Sequence, residues 1–240
     1  MVGMRPFSAN GTLAFQDRLP RGAQLATPSM LLILVAIDIV FIAIHSLIWA
    51  SGGAFGRRAF DIEIDQGIPE LYNYLKWALS AAACAVAFVR SREQLFLVWS
   101  ALFFYFLLDD SLRVHERLGT QAVLALELAP AFLVRAQDIG EVVVCAVVGA
   151  LLLGLMALFY WRAGTGSSAR RFTLRQLPWL GLLIFCGVII DLVHIQIRAL
   201  QSPLALHLCG IVEDGGEMIA ASLLTAVSLL AAVSVRRATE

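Results

Sequence analysis

SMLLILVAIDIVFIAIHSLIWA, residues 29–50, carries a single acidic residue, Asp38, and a single histidine, His45, in an otherwise almost wholly apolar run. A bilayer core about 30 Å thick takes roughly 20 mainly apolar residues to cross as an α-helix, and this run has that length. Further windows of the same kind follow at about 71–90, 94–116, 136–160, 178–199 and 211–235. The expected fold class is therefore all-α, a polytopic membrane bundle of six transmembrane helices. Between the third and fourth windows, TQAVLALELAPAFLVRAQ (120–137) is apolar but too short and too Pro-broken to span. An interfacial helix over 120–134, or a re-entrant lid, fits it better.

Composition points the same way. Hydrophobic residues make up 60% of the 240-residue chain and charged residues 15%, against about 25% in a soluble domain. Mean hydropathy is +0.81. The formal net charge is zero, so there is no basic surplus of the kind a nucleic-acid partner requires. Cys84, Cys145, Cys186 and Cys209 lie one per apolar segment without a CxxC spacing and read as small buried residues. Residues 1–28 lack the short apolar core and cleavage site of a signal peptide and read as a polar cytoplasmic tail. Residues 29–235 form one transmembrane domain, and 236–240 a short tail.

Arginine placement sets the orientation. Arg18 and Arg21 precede the first window, Arg90 and Arg92 link the second and third, Arg162, Arg170, Arg171 and Arg175 link the fourth and fifth, and Arg236 and Arg237 close the chain. All fall on one side if both termini are cytoplasmic, as the positive-inside rule requires with an even number of spans. Arg57 and Arg58 are the exception, offset by Asp61, Glu63, Asp65 and Glu70. The expected location is a bacterial inner membrane, multi-pass, with lipid as the surrounding partner.

Function should lie among ionisable groups inside the spans, since each costs several kcal/mol in hydrocarbon unless it faces a cavity or a partner. Spans running outward carry theirs late: His45, then Asp109, Asp110, His115 and Glu116, then Asp191, His194 and Arg198. Spans running inward carry theirs early: Lys76, then Asp138 and Glu141, then Glu213, Asp214 and Glu217. Opposite chain directions thus deliver them to one level, the outer leaflet and its interface. Asp191 with His194, Asp138 with Glu141, and Glu213 with Glu217 are three or four apart and share a helix face. In DDSLRVHE (109–116), Asp110 and His115 converge only if the helix end loosens.

Carboxylates outnumber cations in this layer, and crowded carboxylates in low dielectric take up protons or bind a cation. Facing carboxylate and histidine pairs are also the ligand set of di-iron and di-manganese bundles, and zinc accepts the same donors. The reading assigns a divalent metal ion (Zn, Fe or Mn) to Asp138, Glu141, Asp191, His194, Glu213 and Glu217, with Asp110 and His115 as catalytic groups. His45, Asp109 and Glu116 support the layer. Asp38, seven residues before His45 and near mid-membrane, is either a proton relay or a hydrogen-bond partner of another helix. Lys76 is expected to snorkel or pair with a carboxylate, and His207, near a loop, to be exposed. The plain alternative for the whole layer is an ion-pair network that locks the bundle.

FLLDDSLRVHERLG (106–119) and IVEDGGEMIAASLL (211–224) resemble a loosely defined group of uncharacterised bacterial multi-span proteins bearing an acidic pair followed by His-Glu. Asp191 in GVIIDLVH, with the Glu213/Glu217 pair, is similar to the late aspartate and final HxxxH of the alkaline ceramidase and adiponectin receptor superfamily of seven-span metal-dependent hydrolases. This chain departs from that superfamily in having six expected spans and Glu-xxx-Glu in place of HxxxH. The resemblance implies hydrolysis of a lipid or other amphiphile by activated water. Other readings are a di-iron-type membrane oxidoreductase, a proton or divalent-cation transporter or channel, and a structural subunit of a homo-oligomer or larger membrane complex.

Overall fold

The computed structural model describes residues 21–53, 58–131, 134–198 and 201–235. The expected tail residues 1–20 and 236–240, with Arg18, Arg236 and Arg237, lie outside the described residues. The chain folds into helices α1 (Arg21–Ala50), α2 (Ile68–Ser91), α3 (Gln94–Leu112), α4 (Val114–Leu126), α5 (Ala136–Arg162), α6 (Ser168–Arg198) and α7 (Pro203–Ser234). The last two are interrupted by π-helical segments, Phe185–Ile190 in α6 and Ile211–Gly215 in α7. Among the described residues, five helices are long and apolar enough to cross a membrane: α1 over Ser29–Ala50, α3, α5, α6 and α7. α2 has the length but carries Glu70, Asn73, Lys76 and Arg90.

Local signals explain the boundaries. α2 begins behind Gly67 with a proline in its first turn and ends where Arg92 adopts φ +60° and donates its N–H to Phe88 O at 2.7 Å. The third window, expected to run to 116, stops at Leu112 because Arg113 takes φ +50° and turns the chain into α4. α4 ends before Pro130, at Glu127 with φ +51°, so the helix expected over 120–134 starts earlier and finishes sooner. α6 and α7 start well before 178 and 211. Ser167 and Ser202 cap them, accepting from Arg170 N and Ala205 N, and Pro178 costs α6 a hydrogen bond without ending it.

α7 is the central helix, packed on α1, α2 and α6. Its small residues permit this: Ala220, Ala221, Ser222, Thr225 and Ser228 are all fully buried. Close backbone approach is the usual basis of helix association in lipid, where apolar burial gives no drive. Hydroxyls stitch the same faces together. Ser80 Oγ lies 2.9 Å from Thr225 Oγ1, and Gln176 Nε2 donates to Ser228 Oγ at 2.8 Å and Leu224 O at 3.1 Å. The half of the bundle that reads as plain apolar packing in AAACAVAF and LLTAVSLLAAV is thus threaded by short polar links. A cluster built on Trp77, Phe96, Trp99, Phe103, Phe172 and Leu224 fills the remaining space.

Asp38 and Lys76, both fully buried, form the deepest ion pair. Lys76 Nζ donates to Asp38 Oδ1 at 2.9 Å and to Met218 O at 2.8 Å, and lies 3.3 Å from Ser222 Oγ and 4.5 Å from the Tyr72 ring centroid. Ser222 Oγ completes the set by donating to Asp38 Oδ2 at 2.6 Å. Three helices, α1, α2 and α7, are therefore clamped at one point. Lys76 pairs with a carboxylate, and Asp38 bonds across helices.

A second clamp lies at the opposite end. The Glu93 carboxylate accepts from Ser168 Oγ at 2.6 Å and Ala169 N at 2.9 Å, and from Ser167 Oγ, at the first turn of α6. Burial pushes the Glu93 pKa up, but these donors outweigh it and hold the carboxyl below its ordinary value. α3 and α6 are joined there through a helix N-terminus, where negative charge is favoured.

Lys76→Met should leave Asp38 charged or protonated without its partner and destabilise the protein by about 3–5 kcal/mol. The double variant Asp38→Asn/Lys76→Met should recover much of that loss. Chemical unfolding in detergent micelles measures both, and equal losses in the single and double variants would show that the pair is not the clamp.

Candidate functional site

The antiparallel order of the helices brings late α1, α3 and α6 beside early α2, α5 and α7. His45, Asp109, Asp110, Asp138, Glu141, Asp191, His194, Glu213, Asp214 and Glu217 occupy that one end of the bundle. They form linked groups there rather than a single shell.

The central group joins α6, just beyond its π segment, to the π segment of α7. His194 Nδ1 lies 2.5 Å from Glu213 Oε2. Glu213 also lies beside Asp191, whose electrostatic neighbours include Asp138 and Arg198. π segments widen a helix by one residue and commonly mark functional positions. Here they are fitted to each other by glycine: a Cβ at Gly187 would collide with the Glu217 carboxylate, and one at Gly216 with Cys186 Sγ. Glu217 reaches into the middle of the layer, with Asp110, Glu213, Asp191 and His115 as its electrostatic neighbours.

On the α3 side the acidic pair divides its work. Trp77 Nε1 donates to Asp110 Oδ2 at 2.7 Å, and Tyr74 Oη to the Asp110 carbonyl at 3.2 Å. Asp109 instead receives the chain as it folds back past Arg113: His115 N donates to Asp109 Oδ1 at 2.8 Å, and His115 Nδ1 sits 3.0 Å from Oδ2. The helix end does loosen, as convergence requires, but Asp109 and not Asp110 is the residue His115 meets. Foremost through that hydrogen bond, the His115 pKa is pushed up to about 9.

The remaining expected ligands sit at the flank. Arg135 binds Asp138 at 2.5 Å, and Asp138 Oδ2 accepts the Arg135 N–H at 3.1 Å, closing the first turn of α5. Gln137 Nε2 donates to Glu141 Oε1 at 2.8 Å and to the Glu116 carbonyl at 2.9 Å. Glu141 abuts Gly119, and Gly140 abuts the Gly119 carbonyl, so α4 and α5 cross at backbone contact. The Glu116 carboxylate lies at the rim, 3.8 Å from Arg113. Asp38 stays apart in its pair with Lys76.

Asp191, His194, Glu213 and Glu217 are thus brought together, whereas Asp138 and Glu141 are engaged by Arg135 and Gln137. Among the described residues, no three His, Cys, Asp or Glu side chains enclose a point at which an ion could sit as they are placed. Sequence reasoning missed several participants. Tyr74 and Trp77 lie three apart on α2 and present their polar atoms to Asp110, a spacing visible in YNYLKW. His207 is 7% exposed rather than solvent-facing, and His45 pairs with Asp61 of the α1–α2 loop at 2.8 Å.

A family model described as a domain of unknown function (DUF8692) matches residues 30–233, nearly the whole helical region. No curated protein and no solved structure matches the chain.

His115 binds its proton more tightly in the folded protein than in the unfolded chain, where its pKa is about 6.5. Its contribution to stability is therefore complete below about pH 6.5 and lost as pH rises through about 9. Thermal unfolding of the wild type across that window should show the decline. In His115→Gln that part of the slope should be absent, and an unchanged slope would mean that Asp109 and His115 are not coupled.

Proposed function

We propose that this chain, which belongs to the family described as a domain of unknown function (DUF8692), is a six-span bacterial inner-membrane protein that binds a divalent metal ion at its outer end and hydrolyses a lipid or other amphiphile there. α2 is counted as the sixth span. Lys76, the charge at its centre, is neutralised inside the bundle, so the helix presents no free charge to lipid. Both termini are cytoplasmic, and α4 with the segment after it lies along the outer surface beside the site.

The observation that carries this reading is the meeting of Asp191 and His194, just after the π segment of α6, with Glu213 in the π segment of α7 and Glu217 just after it, Gly187 leaving room for Glu217. These four oxygen and nitrogen donors on two adjacent helices make up the donor set of zinc and of non-haem iron or manganese. Such an ion supplies Lewis acidity and makes water nucleophilic near neutral pH. Asp110, oriented by Trp77, is placed as the general base that takes the proton from attacking water. His115, kept protonated by Asp109, is placed to return a proton to the leaving group. Water is consumed, its hydroxyl going to the cleaved carbon or phosphorus and a proton to the departing oxygen or nitrogen.

A second reading rests on a different observation, the crowding of the Asp191 and Glu213 carboxyl groups between α6 and α7, since carboxylates packed together in low dielectric take up protons. It favours a proton-coupled transporter. Elemental analysis of protein purified without chelator separates the two. The hydrolase reading expects bound zinc, iron or manganese that falls by about one equivalent per chain in Glu213→Gln and in Asp191→Asn. No metal in the wild type, or unchanged metal in both variants, overturns it; destabilised variants would then identify an ion-pair lock.

Orientation has its own test. A cysteine introduced by Thr165→Cys, in the exposed α5–α6 loop, should resist an impermeant thiol reagent in intact cells and react after permeabilisation. External labelling would overturn both the topology and the outward-facing site.

A further inference from the structure

A second cluster stands where the α1–α2 loop meets the ends of α1 and α7, and the proposed hydrolytic site makes no use of it. His45 is 4% exposed and His207 7%. His45 Nδ1 is hydrogen-bonded to Asp61 Oδ1 at 2.8 Å, while its Nε2 faces Glu63 Oε1 at 3.6 Å, beyond bonding distance. Among the described residues, neither His45 Nε2 nor His207 Nδ1 has a hydrogen-bond partner. The two rings lie 4.9 Å apart, and Trp49 stacks on His207 at 4.3 Å with its plane tilted by 6°. Glu63 is seated against Gly210, where any Cβ would strike its carboxylate.

Two buried imidazoles with one unsatisfied nitrogen each are costly, because a polar atom stripped of water normally regains a partner. When neutral His45 donates its Nδ1–H to Asp61, Nε2 carries a lone pair directed toward the Glu63 carboxylate, and these repel. A cation between them removes both penalties. A carboxylate holding one ring nitrogen while the other is left free is also the arrangement that orients metal-binding histidines. Imidazole nitrogen with carboxylate oxygen suits the zinc class of ions rather than calcium or magnesium.

We infer that His45 Nε2, His207 Nδ1 and the Glu63 carboxylate form a binding site for a divalent transition-metal ion of the zinc class, with Asp61 orienting His45 and Trp49 holding His207. The donor atoms as placed do not enclose one point. Glu63, whose side chain is 38% exposed, is the ligand with room to turn inward and the route by which an ion enters from water. Bound there, the ion ties the loop after α1 to both helix ends and braces the mouth of the bundle. This inference stands independently of the hydrolase reading, because none of its ligands belongs to the Asp191–His194–Glu213 group.

The experiment uses the full-length protein in detergent micelles, with Zn2+ as the probe and 15N NMR of the histidine side chains as the readout. Zn2+ should shift the ring-nitrogen resonances of His45 and His207, and the number of ions bound should fall by about one per chain in Glu63→Gln and in His207→Ala. That ion should persist in Glu213→Gln, which distinguishes it from the one assigned to α6 and α7. Glu63 lies at the surface, so Glu63→Gln tests the site even if His207→Ala fails to fold. Ring nitrogens unmoved by Zn2+ would overturn the inference, as would full binding in Glu63→Gln. A proton retained on His45 Nε2 in excess Zn2+ would overturn it too and identify an imidazolium held between Asp61 and Glu63. Loss of the same ion in Glu213→Gln would assign it to the other site.

Discussion

Hydrocarbon offers no water to a polar group, so every donor, acceptor and charge at membrane depth must find its partner inside the protein. The Lys76 ammonium meets this constraint with acceptors from α1 and α7 at once: Asp38 Oδ1, Met218 O and Ser222 Oγ. The lysine itself comes from α2. None of these helices can slide or rotate without stranding a charge, which places α7 at the centre and its alanine and serine face against α2. The hydroxyl links at Ser80, Thr225, Ser228 and Gln176 extend the same logic toward the opposite end.

At the polar end the constraint is met in another way. Acidic groups are too many for the cations available, so they are shared out among imidazole, indole, amide and each other. Asp110 takes Trp77, Asp109 takes His115, Glu141 takes Gln137, and Glu213 takes both His194 and Asp191. Room for this comes from glycines: Gly187 faces the Glu217 carboxylate, Gly210 the Glu63 carboxylate, and Gly119 the backbone and Cγ of Glu141. The π segments belong to the same device, since an added residue turns Asp191 and Glu213 toward each other at the cost of weaker backbone bonds.

The helices and the common level of the ionisable residues were legible from residue order alone, because length, apolarity and alternating direction are one-dimensional properties. The pairs Asp191/His194 and Glu213/Glu217 were legible from their spacing. Helix ends were not. Nothing in DDSLRVHE announces that Arg113 takes a left-handed conformation and sends His115 back to Asp109, and the basic start of α6 and the short first segment of α7 lay outside the predicted windows.

Partner choice was decided only in three dimensions. Asp38 and Lys76 are 38 residues apart, His194 and Glu213 19, and His45 meets both a loop carboxylate and a histidine from the last helix. Helical periodicity states which face a residue lies on, but not how far a neighbouring helix is rotated or where a π segment shifts its register by one residue. Asp138 and Glu141, expected as ligands, turn to Arg135 and Gln137 because those groups lie within one turn and reach them without crossing between helices. The sequence by itself determined an all-helical, membrane-type chain with most ionisable residues of its spans gathered toward one end. Which carboxylate meets which imidazole depended on the rotation and close approach of packed helices, a property of the whole bundle and of no single segment.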